Sequence, residues 1–195
     1  MINKKVLLII LLLFILSICI VVYASFPPTS TVSTGMNDTV ISINYPYNQI
    51  HLGNHFMVTG ITTLGSGASN QCLIQTGLKT VEFIIIISSE VDTKFEIYEG
   101  AVISSNGTAI TAFNNNRNSN TTPTCSVFNG PTITSYGTNI FNATTGGATT
   151  KSGGGLIHRS DQEIILKPNT NYIINGTNLG TTSEICSHQY QWYEG

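Results

Sequence analysis

Charge is scarce in this chain. Lys and Arg together number eight, Asp and Glu ten, and charged residues make up only 9% of the sequence. So thin a basic content lacks the electrostatic footprint that nucleic acid or an anionic lipid surface needs, and no nucleic-acid partner is expected. Helical periodicity is missing too. Outside the N-terminal segment, apolar residues nowhere recur at helical spacing for three turns, which excludes a helical bundle. No C-x-x-C pair is present, which argues against a thiolate zinc site. No G-x-S-x-G elbow, Walker loop or dinucleotide fingerprint occurs, so no catalytic residue, cofactor or metal ligand is assigned.

What the chain does have begins at its N-terminus. Val6 to Ala24 (VLLIILLLFILSICIVVYA) is an uninterrupted apolar run behind Lys4 and Lys5. At ~1.5 Å per helical residue it reaches roughly 28 Å, close to the ~30 Å hydrocarbon core of a bilayer. The next Lys or Arg is Lys79, so the positive-inside rule predicts a cytoplasmic N-terminus with residues 25–195 across the membrane. A retained hydrophobic helix through residues 6–24 is the favoured reading, because a cleaved signal has an apolar region of only ~7–15 residues. Val22-Tyr23-Ala24 before Ser25 also offers a peptidase site, and bulky Ile18 argues against lipidation at Cys19. Residues 1–24 are therefore a signal-anchor or signal peptide.

Residues 25–50 contain Pro27-Pro28 and a Ser/Thr stretch and read as a stalk. From His51 onward the pattern is β. Val81 to Ile87 (VEFIIII) is a β-branched run suited to a strand buried on both faces, whereas Thr93 to Glu99 alternates, with Phe95 and Ile97 on one side. Asn106-Gly107 between short apolar segments predicts a hairpin. Later strands are expected at Ser126–Phe128, Thr132–Tyr136, Ile140–Ala143, Glu163–Leu166, Tyr172–Asn175 and Glu184–Tyr193, and Gly146–Gly155 reads as a long loop. About ten short strands parted by Gly, Asn and Pro turns predict an all-β fold. The expected form is an antiparallel, jelly-roll-like β-sandwich over 51–195, preceded by one N-terminal hydrophobic helix.

Three cysteines follow the leader: Cys72, Cys125 and Cys186. They allow one disulfide with a thiol to spare, an intermolecular bridge, or three small buried apolar side chains, and spacing selects no pair. Asn37, Asn106, Asn120, Asn142 and Asn175 stand in N-x-S/T sequons, candidate glycosylation sites in a host that uses them. His51 and His55 are four apart, but Gly53 between them and the absence of a Glu spoil a zinc-helix pattern. His158, Arg159 and Asp161 read as charge pairing at a loop base. Glu96 and Glu99, three apart on a strand, fall on opposite faces and form no carboxylate pair.

Five segments in order carry a resemblance. They are His51-Leu52-Gly53-Asn54-His55-Phe56, then Phe95 to Gly100 (FEIYEG), then Gly107-Thr108 with Phe113 to Ser119 (FNNNRNS). Glu163 to Tyr172 (EIILKPNTNY) and Gln191-Trp192-Tyr193-Glu194 complete the set. Together they resemble a family of small tailed-bacteriophage virion proteins associated with the head or capsid. The same residues also read as scaffold. Pro168 with Asn169 nucleates a turn, Asn114 to Ser119 is an amide-rich loop with Arg117 expected to pair with a carboxylate, and Trp192 and Tyr193 close the sandwich. The membrane leader departs from that family, whose members assemble in the cytoplasm.

The sequence thus predicts a non-enzymatic virion or surface structural protein, membrane-anchored, with its sandwich exported and in contact with other virion proteins. The alternative is an adhesin or carbohydrate-binding sandwich, which exposed Tyr and Trp on one sheet face would favour. Scarce charge to blunt the sheet edges predicts a homo-oligomer, a trimer by analogy with viral jelly rolls.

Overall fold

A computed structural model describes residues 31–32, 41–42, 44–145, 155–158 and 163–195. The apolar run 6–24, Asn37, the loop 146–154, Arg159 and Asp161 lie outside the described residues. Two compact units divide the chain, Met1–Asn44 and Tyr45–Gly195. In the first, β1 (Thr31–Val32) pairs antiparallel with β2 (Ile41–Ser42).

The second unit opens with a helix where a stalk was expected. Helix α1 (Tyr45–Leu52) takes Pro46 in its first turn, where the fixed φ of proline suits a helix start and no N–H is needed. It stops at Gly53, whose φ of 75° is the left-handed conformation a helix terminus uses. The Gly53 N–H bonds to Ile50 O and the Asn54 N–H to Gln49 O. At eight residues, the helix is too short to register as an apolar period.

Everything after it is antiparallel sheet. Ten strands carry the sandwich: β3 (His55–Leu64), β4 (Ser69–Gln75), β5 (Val81–Ser89), β6 (Thr93–Glu99), β10 (Ser126–Asn129), β12 (Thr138–Thr145), β13 (Gly155–His158), β14 (Ile164–Leu166), β15 (Asn171–Asn178) and β16 (Glu184–Glu194). The short strands β7 (Val102–Ser105), β8 (Thr108–Ile110), β9 (Phe113–Asn114) and β11 (Thr132–Ser135) complete the set. Sheet I runs β12-β6-β15-β4-β10-β8. Sheet II runs β13-β5-β16-β3-β9, with β14 continuing the β13 edge along β5. From β3 to β6 the chain alternates between the two sheets, and from β12 to β16 it does so except that β13 and β14 both lie in sheet II.

The inward residues form one core. Sheet I contributes Cys72, Ile74, Phe95, Ile97, Val127, Tyr172 and Ile174. Sheet II contributes Phe56, Val58, Phe83, Ile85, Ile87, Leu166, Tyr190 and Trp192. At ~1.5–3 kcal/mol for each fully buried large apolar side chain, this layer dominates the stabilisation of the fold. The run Val81–Ile87 is buried on its inner face, while on the other side Ile84 is buried and Glu82 and Ile86 are half-buried.

The Asn106-Gly107 turn does not close a hairpin. β7 pairs with β11 as a separate ribbon and β8 pairs with β10, so the turn is a corner between sheets. Gly107 is required there twice over. Its φ is 83°, and a Cβ would sit 2.3 Å from Asn129 O.

Candidate interaction surface

The last strand explains where most of the buried polar chemistry goes. β16 belongs to sheet II, yet a carboxylate at each end reaches sheet I. Glu194 Oε1 accepts the Cys125 N–H at 2.9 Å and the Trp192 Nε1–H at 3.1 Å, while Oε2 accepts the Thr124 N–H and hydroxyl, each at 2.8 Å. At the other end, the Thr93 hydroxyl is 2.8 Å from both oxygens of Glu184, beside the Ser89–Thr145 hydroxyl pair at 2.7 Å. Burial raises the Glu184 carboxyl above its ordinary range. Both carboxyl groups are structural, held by donors within the fold.

Asn178, fully buried, ties two loops together. Its side chain donates to Leu64 O and Thr182 O and accepts from the Gly180 N–H. Glu99 accepts from Lys167 Nζ at 2.6 Å and from the Tyr172 hydroxyl at 3.0 Å, and the Lys167 ammonium holds its carboxyl low. Glu96 lies on the opposite side of β6, taking Lys94 Nζ at 2.7 Å and Asn175 Nδ2 at 3.2 Å. The two glutamates therefore serve different faces, as their spacing predicts.

The outer surfaces of the two sheets contrast. On sheet I, Leu73 and Ile173 are 0% exposed although they point away from the main core. With Ala101 they form a second cluster, packed by Tyr98, Ile103, Phe128 and Ile133, and Ile103 and Ile133 come from the β7–β11 ribbon. A cross-strand row Gln71–Asn175–Glu96–Lys94 runs beside it, its amides and charges bonded to one another. Sheet I thus covers its own outside.

Sheet II covers only one end of its outside. There the Tyr45 ring of α1 meets Tyr193 edge-on at 5.6 Å, and His55 stacks on Tyr193 at 5.9 Å. Asn115 Nδ2 lies 2.7 Å from His55 Nδ1, and burial lowers the His55 pKa from 6.5 to about 4. Beyond that end no described layer lies over the face, although Ile84 on it is only 8% exposed. Its rows, in register, are Met57–Gln191–Ile84, Thr59–Gln189–Ile86 and Ile61–Ser187–Ser88. None of these residues is charged. Ser88 and Ser187 share a hydrogen bond of 2.6 Å, and Ile61 is 77% exposed. Between the rows lies a shallow depression of about 290 Å³, lined by Thr59, Ile61, Ile86, Ser88, Ser187 and Gln189 and floored by Gly60 over His188. Gly60 and His188 face the core, and a Cβ on Gly60 would sit 2.5 Å from His188 Nε2 on that inner side.

The other residues singled out by sequence fall as follows. Cys72, Cys125 and Cys186 are all buried free thiols, and desolvation raises each, Cys72 and Cys186 to about 11. Asn106 and Asn120 are exposed in loops, and Asn142 is exposed on strand β12. Asn175 sits mid-strand, buried, with its Nδ2 donated to Glu96 and Thr177, so this fold does not present it for glycosylation. Arg117 lies over the Phe113 ring at 5.3 Å rather than against a carboxylate, whereas Asn114 and Asn116 do bond loop backbone as expected. His51, in the last turn of α1, packs on Tyr47 and is separated from His55 by the Gly53 stop. Trp192, 1% exposed, packs with Phe56 inside the sandwich. Among the described residues no group of His, Cys, Asp and Glu is arranged to hold a metal, and no helix is long and apolar enough to cross a membrane.

Compared with protein families, curated proteins and solved structures, the chain matches none.

Proposed function

We propose that this chain is a non-enzymatic structural protein of a virion or cell surface, tethered by residues 6–24 and displaying residues 45–195 outside the membrane. The observation that carries the reading is the use made of the buried polar groups. Glu184, Glu194, Asn175 and Asn178 are each bonded within the scaffold, across sheets or between loops. Such saturation builds a rigid module rather than a reactive cleft. The passage of most successive strands between two sheets fits the jelly-roll-like sandwich that the many short strands lead one to expect, the five-segment resemblance points towards phage virion proteins, and the leader gives the domain a membrane to stand on. The module works as a homo-oligomer, a trimer by the same analogy, alongside other virion proteins. The binding-module alternative called for Trp and Tyr exposed on a sheet face. Trp192, Tyr190 and Tyr193 are buried, and the exposed Tyr45, Tyr47 and Tyr136 belong to α1 and the turn after β11 rather than to a sheet strand, which gives that reading less support.

The test is topology and company. The chain should fractionate with membranes or purified particles, and an antibody to 45–195 should reach it on intact ones. Recovery in the soluble cytoplasmic fraction, or protection of 45–195 from added protease on intact membranes, would contradict the reading.

A further inference from the structure

We infer that α1 is a latch on the outer side of sheet II, which comes off while the sandwich stays folded, and that acid drives the opening through the histidine beneath it.

The latch is lightly held. Tyr45, Tyr47 and Leu52 of α1 are each about half exposed, and Gln49 is its one buried residue. Among the described residues two directional contacts tie the helix to its neighbours. The Tyr45 ring meets Tyr193, and His51 O accepts from Asn116 Nδ2 at 3.1 Å. Gln49 Oε1 bonds only to Asn54, next in the chain after the Gly53 stop. β16, by contrast, is paired along almost its whole length with both β3 and β5. A segment with so few ties opens at lower cost than the sheet it lies on. The chain is pinned again directly after the helix. Asn114 Nδ2 donates to Gly53 O at 2.8 Å, and the Glu194 N–H donates to Asn54 O at 3.2 Å. The helix can therefore leave without moving β3 out of register.

What the latch covers gains by being uncovered. His55 and Tyr193 are both buried, stacked on each other on the side of sheet II where Tyr45 lies. Asn115 Nδ2 is 2.7 Å from His55 Nδ1, while Asn115 Oδ1 is buried with no hydrogen-bond partner. Opening gives that oxygen water and gives the imidazole access to a proton. In the closed form burial keeps the ring neutral, its pKa lowered to about 4.

The groups facing His55 leave the proton to it. From β16 comes the Tyr193 phenol, raised by burial and by its bonds to Glu163 and Glu82. Tyr193 stands between His55 on β3 and Glu82 on β5. The loop after β9 brings the neutral amide of Asn115, with Arg117 turned onto the Phe113 ring. His51, in the last turn of α1, lies against Tyr47. Glu82, raised by burial, titrates in the opposite sense, so a histidine variant is needed to separate the two. Release also lengthens the chain ahead of β3: eight residues span ~12 Å as helix and up to roughly 28 Å extended.

Hydrogen exchange followed by mass spectrometry tests this on the full-length chain in mild detergent. Rates are taken at pH 7.5, 6.5 and 5.5 and corrected for intrinsic exchange. The amides of 49–54 should open far more often than those of β5 and β16. Their opening equilibrium should rise about tenfold from pH 7.5 to 5.5, as one proton taken up only by the open form requires. His55→Gln should flatten that rise. Tyr45→Ala should raise opening of 49–54 at least tenfold at pH 7.5 and leave β5 and β16 protected. Protection of 49–54 equal to that of β16, or exchange of both rising in step, overturns the latch. An unchanged pH response in His55→Gln overturns the acid trigger.

Discussion

Replacing Glu194 with alanine should cost about 3–5 kcal/mol, the largest loss expected of any single polar substitution in this fold. The carboxylate accepts from two backbone N–H groups, a hydroxyl and the Trp192 indole, and it is 2% exposed. Truncation strands those donors in a site water does not reach freely, at ~1–3 kcal/mol for each unsatisfied group, with partial relaxation between them. Set against a total stability of ~5–15 kcal/mol for a domain, that is enough to populate unfolded chain near body temperature. Glu194→Gln keeps an acceptor oxygen and should lose roughly half as much. Glu184→Ala should lose less, about 1–2 kcal/mol, because its closest donor is the single Thr93 hydroxyl and burial already disfavours its charge. Denaturant midpoints of the three variants rank these effects. A Glu194→Ala midpoint within error of the unmodified chain would show that the carboxylate does not join the sheets.

The second large effect is acid destabilisation through His55. Its folded pKa is about 4 against an ordinary 6.5. The fold therefore prefers the neutral ring. The stabilisation this represents is complete above pH 6.5 and is lost as pH falls from 6.5 towards 4, where the unfolded chain takes up a proton that the folded one refuses. At ~1.4 kcal/mol per pH unit across that window, the loss is about 2–3 kcal/mol. His188, also lowered by burial, acts in the same direction. Glu82 and Glu184 act oppositely: burial raises both, so their contribution grows as pH drops and trims the loss at the acid end. Thermal midpoints recorded from pH 7.5 to 4.5 should fall with a slope that His55→Gln largely removes. Equal slopes in the two proteins would contradict the assignment.

How much of this was legible beforehand differs by element. The β-branched run of β5 and the alternation of β6 declared themselves, because a period of two with Phe95 and Ile97 on one side has no helical counterpart. The strand–turn–strand at Lys167 to Thr170 was also visible, and Asn169 does take a positive φ of 50°. Helix α1 was not. With only Ile50 and Leu52 as aliphatic residues, it is defined by Pro46, the Gly53 stop and the Tyr45–Tyr193 contact, and that contact joins residues far apart in sequence. Asn106-Gly107 misled for a related reason. The dipeptide specifies a tight turn but not the partner of the strand that follows, and here both neighbouring strands pair elsewhere. The roles of Glu184 and Glu194 were hidden because strand alternation says which way a carboxylate points, not what lies across the core.

The uncharged face was half visible. Alternation in EICSHQYQWYE separates Ile185, Ser187, Gln189 and Gln191 from Cys186, Tyr190 and Trp192. Knowing that the first set meets Thr59, Ile61, Ile86 and Ser88 requires the register of three strands drawn from distant parts of the chain. Low overall charge was plain from composition. The gathering of uncharged residues on one face is a product of topology, since three strands from distant parts of the chain meet there and the covering ribbon lies on sheet I.

The central claim is that this is a tethered sandwich that assembles with itself, and its mass in solution tests that most directly. Full-length chain extracted in mild detergent, with the detergent contribution subtracted, should give one discrete multiple of the chain mass, held steady on dilution through the micromolar range and three copies if the closed ring is a trimer. A mass of one chain, unchanged on concentration, would contradict it.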